Sequence, residues 1–111
     1  MKSPRLKTDL WVYALIRRAE IGGAFASVAR HGDDRSGTVF VKVRQAADRC
    51  VVYGARYDQE ARVWTAATGP APVVEPDADA YLQRQIKFDP DIWILEVEDR
   101  QGRHFIDEKV L

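Results

Sequence analysis

Asp89-Pro90-Asp91-Ile92-Trp93-Ile94-Leu95-Glu96-Val97-Glu98-Asp99-Arg100 is the stretch on which the fold turns. Pro90 disfavours helical angles at Asp89, so a helix arriving from the N-terminal side must end there. Residues 92–98 then carry the β-branched and aromatic content of a strand. On an extended chain Trp93, Leu95 and Val97 share one face and are the natural core set. Glu96 and Glu98 share the other, with Cα atoms roughly 7 Å apart. Gln101-Gly102 turns the chain, and residues 103–107 read as a last short strand.

Upstream of that strand, residues 77–88 have the pattern of a helix. Asp77 stands at the N-cap, Asp79 suits the positive end of the helix dipole, and Arg84 and Lys87 suit the negative end. Ala78, Leu82 and Ile86, with Tyr81 and Phe88, form the expected buried stripe. Before it lies a loop, residues 68–76, held irregular by Pro70, Pro72 and Pro76.

Four strand-like segments precede the loop, at residues 24–30, 38–44, 49–56 and 62–67. The second alternates, with Val39, Val41 and Val43 inward and Thr38, Lys42 and Arg44 outward; Phe40 interrupts the polar side. Most of the connections are short, so these strands pair as antiparallel hairpins. The chain opens with a helix over residues 8–21, with Thr8 or Asp9 as the cap and Gly22-Gly23 as the stop. It is apolar over much of its girth, which predicts burial against a sheet or a second subunit. The fold expected is α+β in one domain, residues 1–111. An antiparallel sheet of about five or six strands carries two helices packed on one face, in the order α-β-β-β-β-α-β-β.

Composition limits the function. At 46% apolar and 31% charged, the 111-residue chain is globular. The apolar run of residues 10–16 is too short for a secretory signal or a membrane span. Cys50 is the only cysteine, which suits a reducing cytoplasm. Net charge is zero, yet residues 1–55 hold 10 Lys/Arg against 5 Asp/Glu, and residues 56–111 hold 7 against 12. The simplest outcome is that the two halves interleave and their fields cancel. The alternative is a dipolar surface that pairs with a charged partner or a second copy.

Chemistry-bearing motifs are few. His31, Cys50 and His104 lie far apart in sequence, so no metal and no cofactor is expected. His31 and His104 read as surface residues and Cys50 as a small buried thiol. Ser3, Ser27 and Ser36 lack nucleophile-elbow surroundings, and no phosphate-binding loop is present. The order α-β-β-β-α-β is that of the restriction-endonuclease-like nucleases, but a Glu/Asp-x-Lys strand before the second helix is absent. Glu96 and Glu98 could serve as a Mg²⁺ or acid/base pair. They could equally lie on a wet strand face opposite Lys42, Arg44 or Arg62. The basic residues between Arg17 and Arg49, with Phe40 and Tyr53, offer a surface for single-stranded RNA, but a pI near 6.7 argues against it.

Residues 5–18 (Arg-Leu-Lys-Thr-Asp-Leu-Trp-Val-Tyr-Ala-Leu-Ile-Arg-Arg) and 89–105 (Asp-Pro-Asp-Ile-Trp-Ile-Leu-Glu-Val-Glu-Asp-Arg-Gln-Gly-Arg-His-Phe) carry a resemblance. The chain resembles a short alphaproteobacterial protein family classed as a domain of unknown function. The resemblance implies a small cytoplasmic bacterial protein and transfers no catalytic residue.

The resulting expectation is a binding or interaction module without catalysis, working with a protein or small-molecule partner and able to homodimerise. Nucleic acid and membrane are not expected partners. One alternative is a small enzyme or ligand-binding protein using an Arg/Glu cluster; another is an RNA-binding protein. The candidate binding residues are Arg17, Arg18, Trp93, Glu96, Glu98 and Arg100.

Overall fold

The computed structural model describes residues 7–111; Ser3, Arg5 and Leu6, named above, lie outside them. Helix α1 (Thr8–Ile21) leads into strand β1 (Phe25–Arg30). Strands β2 (Val39–Ala46), β3 (Arg49–Asp58) and β4 (Ala61–Ala66) follow, then a two-residue β5 (Val73–Val74). Helix α2 (Glu75–Phe88) and strand β6 (Trp93–Glu98) complete the order. The strands form one sheet, β1-β6-β2-β3-β4, with β5 paired to β3.

The α+β class and the mostly antiparallel sheet are as the sequence implies, with one difference at the centre. β2 and β6 run parallel, Lys42 beside Glu96 and Arg44 beside Glu98. Short hairpins constrain only consecutive strands. The chain between β2 and β6 holds three strands and a helix, ample for a crossover.

A second difference concerns the helices, which were expected on one face and lie on opposite faces. α1 packs Trp11, Val12, Leu15 and Ala19 onto Val39, Val41, Val43, Trp93, Leu95 and Val97. α2 packs Ala78 and Leu82 onto Phe40, Cys50, Val52, Ile92 and Ile94. The central strands are apolar on both sides, so both sides need cover. Phe40, which breaks the alternation in sequence, belongs to this second core.

The third difference is the expected last strand. Residues 103–107 are not a strand. Phe105 has φ +61°, a left-handed conformation costly for a bulky side chain and incompatible with an extended run. Arg18 secures that backbone, its Nε and Nη2 donating to the Phe105 carbonyl at 3.1 and 2.9 Å. The chain continues past this bend so that Val110 bridges Trp64 along the β4 edge.

The helix ends also differ from simple capping. The N-cap of α1 is Lys7 and that of α2 is Val74, neither with a side-chain cap. At α1 the first-turn donors go to a loop, Thr8 N–H to the Arg35 carbonyl and Asp9 N–H to the Asp34 carbonyl. α2 begins two residues before Asp77, which brings Glu75 into the helix. Leu10 and Phe88 are exposed, so the buried stripes are narrower than their apolar content suggests.

Candidate functional site

On the α2 side of the sheet, alternation places Phe40, Lys42 and Arg44 of β2 beside Ile94, Glu96 and Glu98 of β6. The first part of each strand is covered by α2. The last part runs on past the apolar core and carries charge. Lys42 is nonetheless buried at 3% exposure. Its Nζ lies 2.7 Å from Glu75 Oε2, 2.7 Å from Asp79 Oδ1 and 3.7 Å from Glu96 Oε2. Arg44 Nη2 lies 2.9 Å from both Glu96 Oε1 and Glu98 Oε1, and Nη1 lies 3.8 Å from Glu75.

Burial works to lower the pKa of the Lys42 ammonium, but hydrogen bonds to Asp79 and Glu75 outweigh it and hold the group above its ordinary 10.5. Glu75 moves the other way, held below its usual 4.5 chiefly by the hydrogen bond from Lys42. Both groups stay charged through the neutral range. Glu96, the candidate general base, is already engaged by two cations. The ammonium of Lys42 stands where a metal ion would have to sit between the carboxylates. Among the described residues, no three His, Cys, Asp or Glu side chains come together as a metal-ligand set.

Beyond Arg44 and Glu98 the sheet opens into a cleft of about 700 Å³ at the carboxyl ends of the two parallel strands. Its walls come from Phe25 at the start of β1, Gln45 at the end of β2, and Arg100 and Arg103 in the turn after β6. Asp99 forms the base of that turn. It accepts from the Arg103 backbone N–H at 2.8 Å and from Arg103 Nε and Nη2 at 2.9 Å each. Those bonds, the Arg103 side chain's first, hold the Asp99 carboxyl below its usual range. A smaller concavity of about 490 Å³ adjoins the cleft, bordered by Arg49 and Pro72 and sharing Arg100. Parallel strand ends are where open sheets commonly leave a binding crevice.

The six sequence candidates divide. Glu98 and Arg100 line the cleft, and Glu96 sits just behind it in the ionic cluster. Arg17 and Arg18 lie on α1, across the sheet. Arg17 is exposed, and Arg18 is committed to Phe105 and to Asp107 at 3.5 Å. Trp93 is wholly buried on the α1 face, donating to the Asp33 carbonyl at 2.7 Å and contacting the His31 ring. Lys42, Arg44, Glu75, Asp79, Phe25 and Arg103 were not among the candidates. The signal for Lys42 and Arg44 was present, two cations at same-face spacing in an apolar strand that matches Glu96 and Glu98.

The remaining reactive side chains are held in structural roles. Burial pushes the Cys50 thiol up, away from the thiolate form. His104 is half-buried against Tyr53 rather than exposed, and its Nδ1 accepts from the Ile106 N–H at 2.9 Å. Trp11 and Trp64 stack at 5.2 Å beneath Arg62, which Glu108 holds at 2.7 Å.

A family model described as "Protein of unknown function (DUF1491)" matches residues 6–107. The chain is similar to a DUF1491 family protein from Caulobacter crescentus CB15, seen in a crystal structure. The two are 48% identical over 96% of this chain and 100% of that one, with TM-score 0.87. An NMR structure of a DUF1491 family protein from the same organism gives 47% identity, coverage of 98% and 99%, and TM-score 0.85. A protein from A. tumefaciens, solved in solution, is 28% identical over 97% of this chain and 98% of that one, with TM-score 0.82. No curated protein matches.

Proposed function

The chain belongs to the DUF1491 family of proteins of unknown function, and from that premise we propose that it is a small binding module without catalysis, whose ligand or partner enters the cleft at the ends of β2 and β6. The observation that supports this most is that the carboxylates around and behind the cleft best placed for acid–base work, Glu96, Glu75 and Asp99, are already bound by cations. Glu96 is held by Lys42 and Arg44, Glu75 by Lys42, and Asp99 by Arg103. A general base must be free to reach a substrate proton, and each of these carboxylates already has a cation bound to it. What is left for an incoming molecule is a concave surface with charged walls.

The same cluster weakens the RNA-binding reading, because Lys42 and Arg44 spend their charge inside the protein. It favours the ligand-binding form of the Arg/Glu alternative over the enzymatic form. The bacterial sources of the similar structures suit a bacterial protein. The single cysteine, kept as a buried thiol, suits a reducing cytoplasm. Homodimerisation is supported by α1, whose outer side exposes Leu10, Tyr13 and Ile21. Sedimentation at micromolar concentration should then give twice the mass of one chain.

A screen for turnover on nitrophenyl esters, nitrophenyl phosphates and short oligonucleotides tests the absence of catalysis. The expected result is no turnover above background. Activity that disappears in Glu96→Gln would overturn the proposal.

A further inference from the structure

We infer that the cleft binds a small zwitterion with an apolar side group, the chemistry of a free α-amino acid bearing an aromatic or large aliphatic side chain. This rests on the binding-module reading and adds the class of ligand. Charge at the cleft is left uncompensated on both signs. The cluster behind the cleft holds two cations, Lys42 and Arg44, against four carboxylates, Glu75, Asp79, Glu96 and Glu98. It is therefore short of positive charge. Glu98 is its outermost member, with half its side chain exposed, and it shares a single guanidinium nitrogen of Arg44 with Glu96. Its carboxylate is undercompensated on the side that faces the cleft.

Arg100 has the opposite imbalance. It lines both the cleft and the neighbouring concavity, is exposed, and has no carboxylate partner among the described residues. Asp99, the nearest acid in sequence, is fully engaged by Arg103. Glu98 ends β6 and Arg100 lies two residues on, in the turn that follows; both line the cleft, yet they do not pair with each other. A carboxylate can form a charge-assisted pair with the Arg100 fork while an ammonium on the adjoining carbon meets Glu98. Phe25 supplies the third contact: it lines the same cleft, two-thirds of its surface is exposed, and no described ring packs on it.

The test is a titration of the ¹⁵N-labelled 111-residue chain with L-phenylalanine, followed by amide shifts. 3-Phenylpropionate, which lacks the ammonium, and phenethylamine, which lacks the carboxylate, are run beside it. L-Phenylalanine should give saturable shifts centred on residues 23–25, 44–46 and 98–103, with millimolar affinity. Each truncated probe should bind about tenfold more weakly. Arg100→Gln and Glu98→Gln should each erase the advantage over the probe lacking the matching charge. Both sites are solvent-exposed, and a dispersed amide spectrum verifies that each variant is folded. Phe25→Ala should weaken phenylalanine more than glycine. Equal binding of all three probes, shifts elsewhere, or no saturation overturns the zwitterion site. The turnover screen addresses the binding-module reading separately, so the two can fail independently.

Discussion

The two faces of the sheet are stabilised by different physics. The α1 face is dry. All three tryptophans lie in its core, with Trp64 and Trp93 at 0% exposure and Trp11 at 5%. The α2 face is apolar for half its length and ionic for the rest, with Lys42 and Arg44 bound to four carboxylates. Apolar burial stabilises in proportion to area and is nearly indifferent to pH and salt. A partly buried ion network responds to both. One β-sheet therefore carries a permanent side and a conditional side. The cleft opens at the conditional side's end, where charge is already unbalanced.

Breaking the dry face should have the largest effect. Trp93→Ala removes a fully buried indole that also donates to the Asp33 carbonyl. A loss of about 3–5 kcal/mol is expected from the cavity and the orphaned acceptor. Urea unfolding measures it. A cost under about 1 kcal/mol would mean that the two faces do not differ as described.

Removing the cation at the centre of the conditional face comes next. Lys42→Met leaves Glu75, Asp79 and Glu96 facing one another without their shared ammonium. Loss of one partner from a buried pair costs about 3–5 kcal/mol. Asp79 and Glu75 keep some solvent here, so about 2–3 kcal/mol is expected by the same unfolding measurement.

Acid should reach the α1 face only through His104, a titrating ring at the margin of its apolar core, and the α2 face through the ion network, in different pH windows. Burial holds His104, packed on Tyr53, below its ordinary 6.5. A depressed folded value favours the neutral form. Its stability is present above about pH 6.5 and is lost as pH falls through the folded value. Glu75 is depressed below 4.5 by Lys42, so its contribution is intact above about pH 4.5 and is lost further into acid. Stability plotted against pH should thus fall in two steps. His104→Phe should remove the upper step, and Lys42→Met should remove Glu75's share of the lower one. A single step unaffected by either substitution would contradict the division.

The sequence disclosed the dry face more fully than the conditional one. The alternation of Val39, Val41 and Val43, and of Trp93, Leu95 and Val97, is a period-two pattern that names its own core. Lys42 obeys the same pattern and reads as an outward, solvated residue. Its burial depends on α2 crossing the sheet, which no local pattern encodes. Glu75 was hidden for a related reason. It follows a proline-rich loop and precedes Pro76, so it looks like loop, yet it begins the helix and brings an acid over β2. Glu96 and Glu98 opposite Lys42 and Arg44 were foreseeable, because strand polarity limits the partners. The cleft was not, since it requires the parallel pairing of β2 with β6, two strands about fifty residues apart in sequence. Residues 103–107 misled because their composition suits a strand while Phe105 adopts a left-handed turn. The Arg18 fork that supports it comes from the other end of the chain.

The smallest expected effect concerns the rim of the ion network. Asp79 lies 2.7 Å from Lys42 but leaves 53% of its side chain in water. Distance alone suggests a strong pair, whereas exposure suggests a weak one. Water and mobile ions screen the outer side of the carboxylate, and the pair must offset the cost of ordering both chains. Asp79→Asn keeps the shape and a hydrogen-bond acceptor for the Lys42 ammonium. It also removes one of the excess negative charges around two cations. Its cost should be about 0.5 kcal/mol, within the range for exposed pairs, and should shrink in 1 M salt. A cost above about 2 kcal/mol, unchanged by salt, would mean that Asp79 is held as tightly as the deeper members, and that the conditional face has no soft edge beside the cleft.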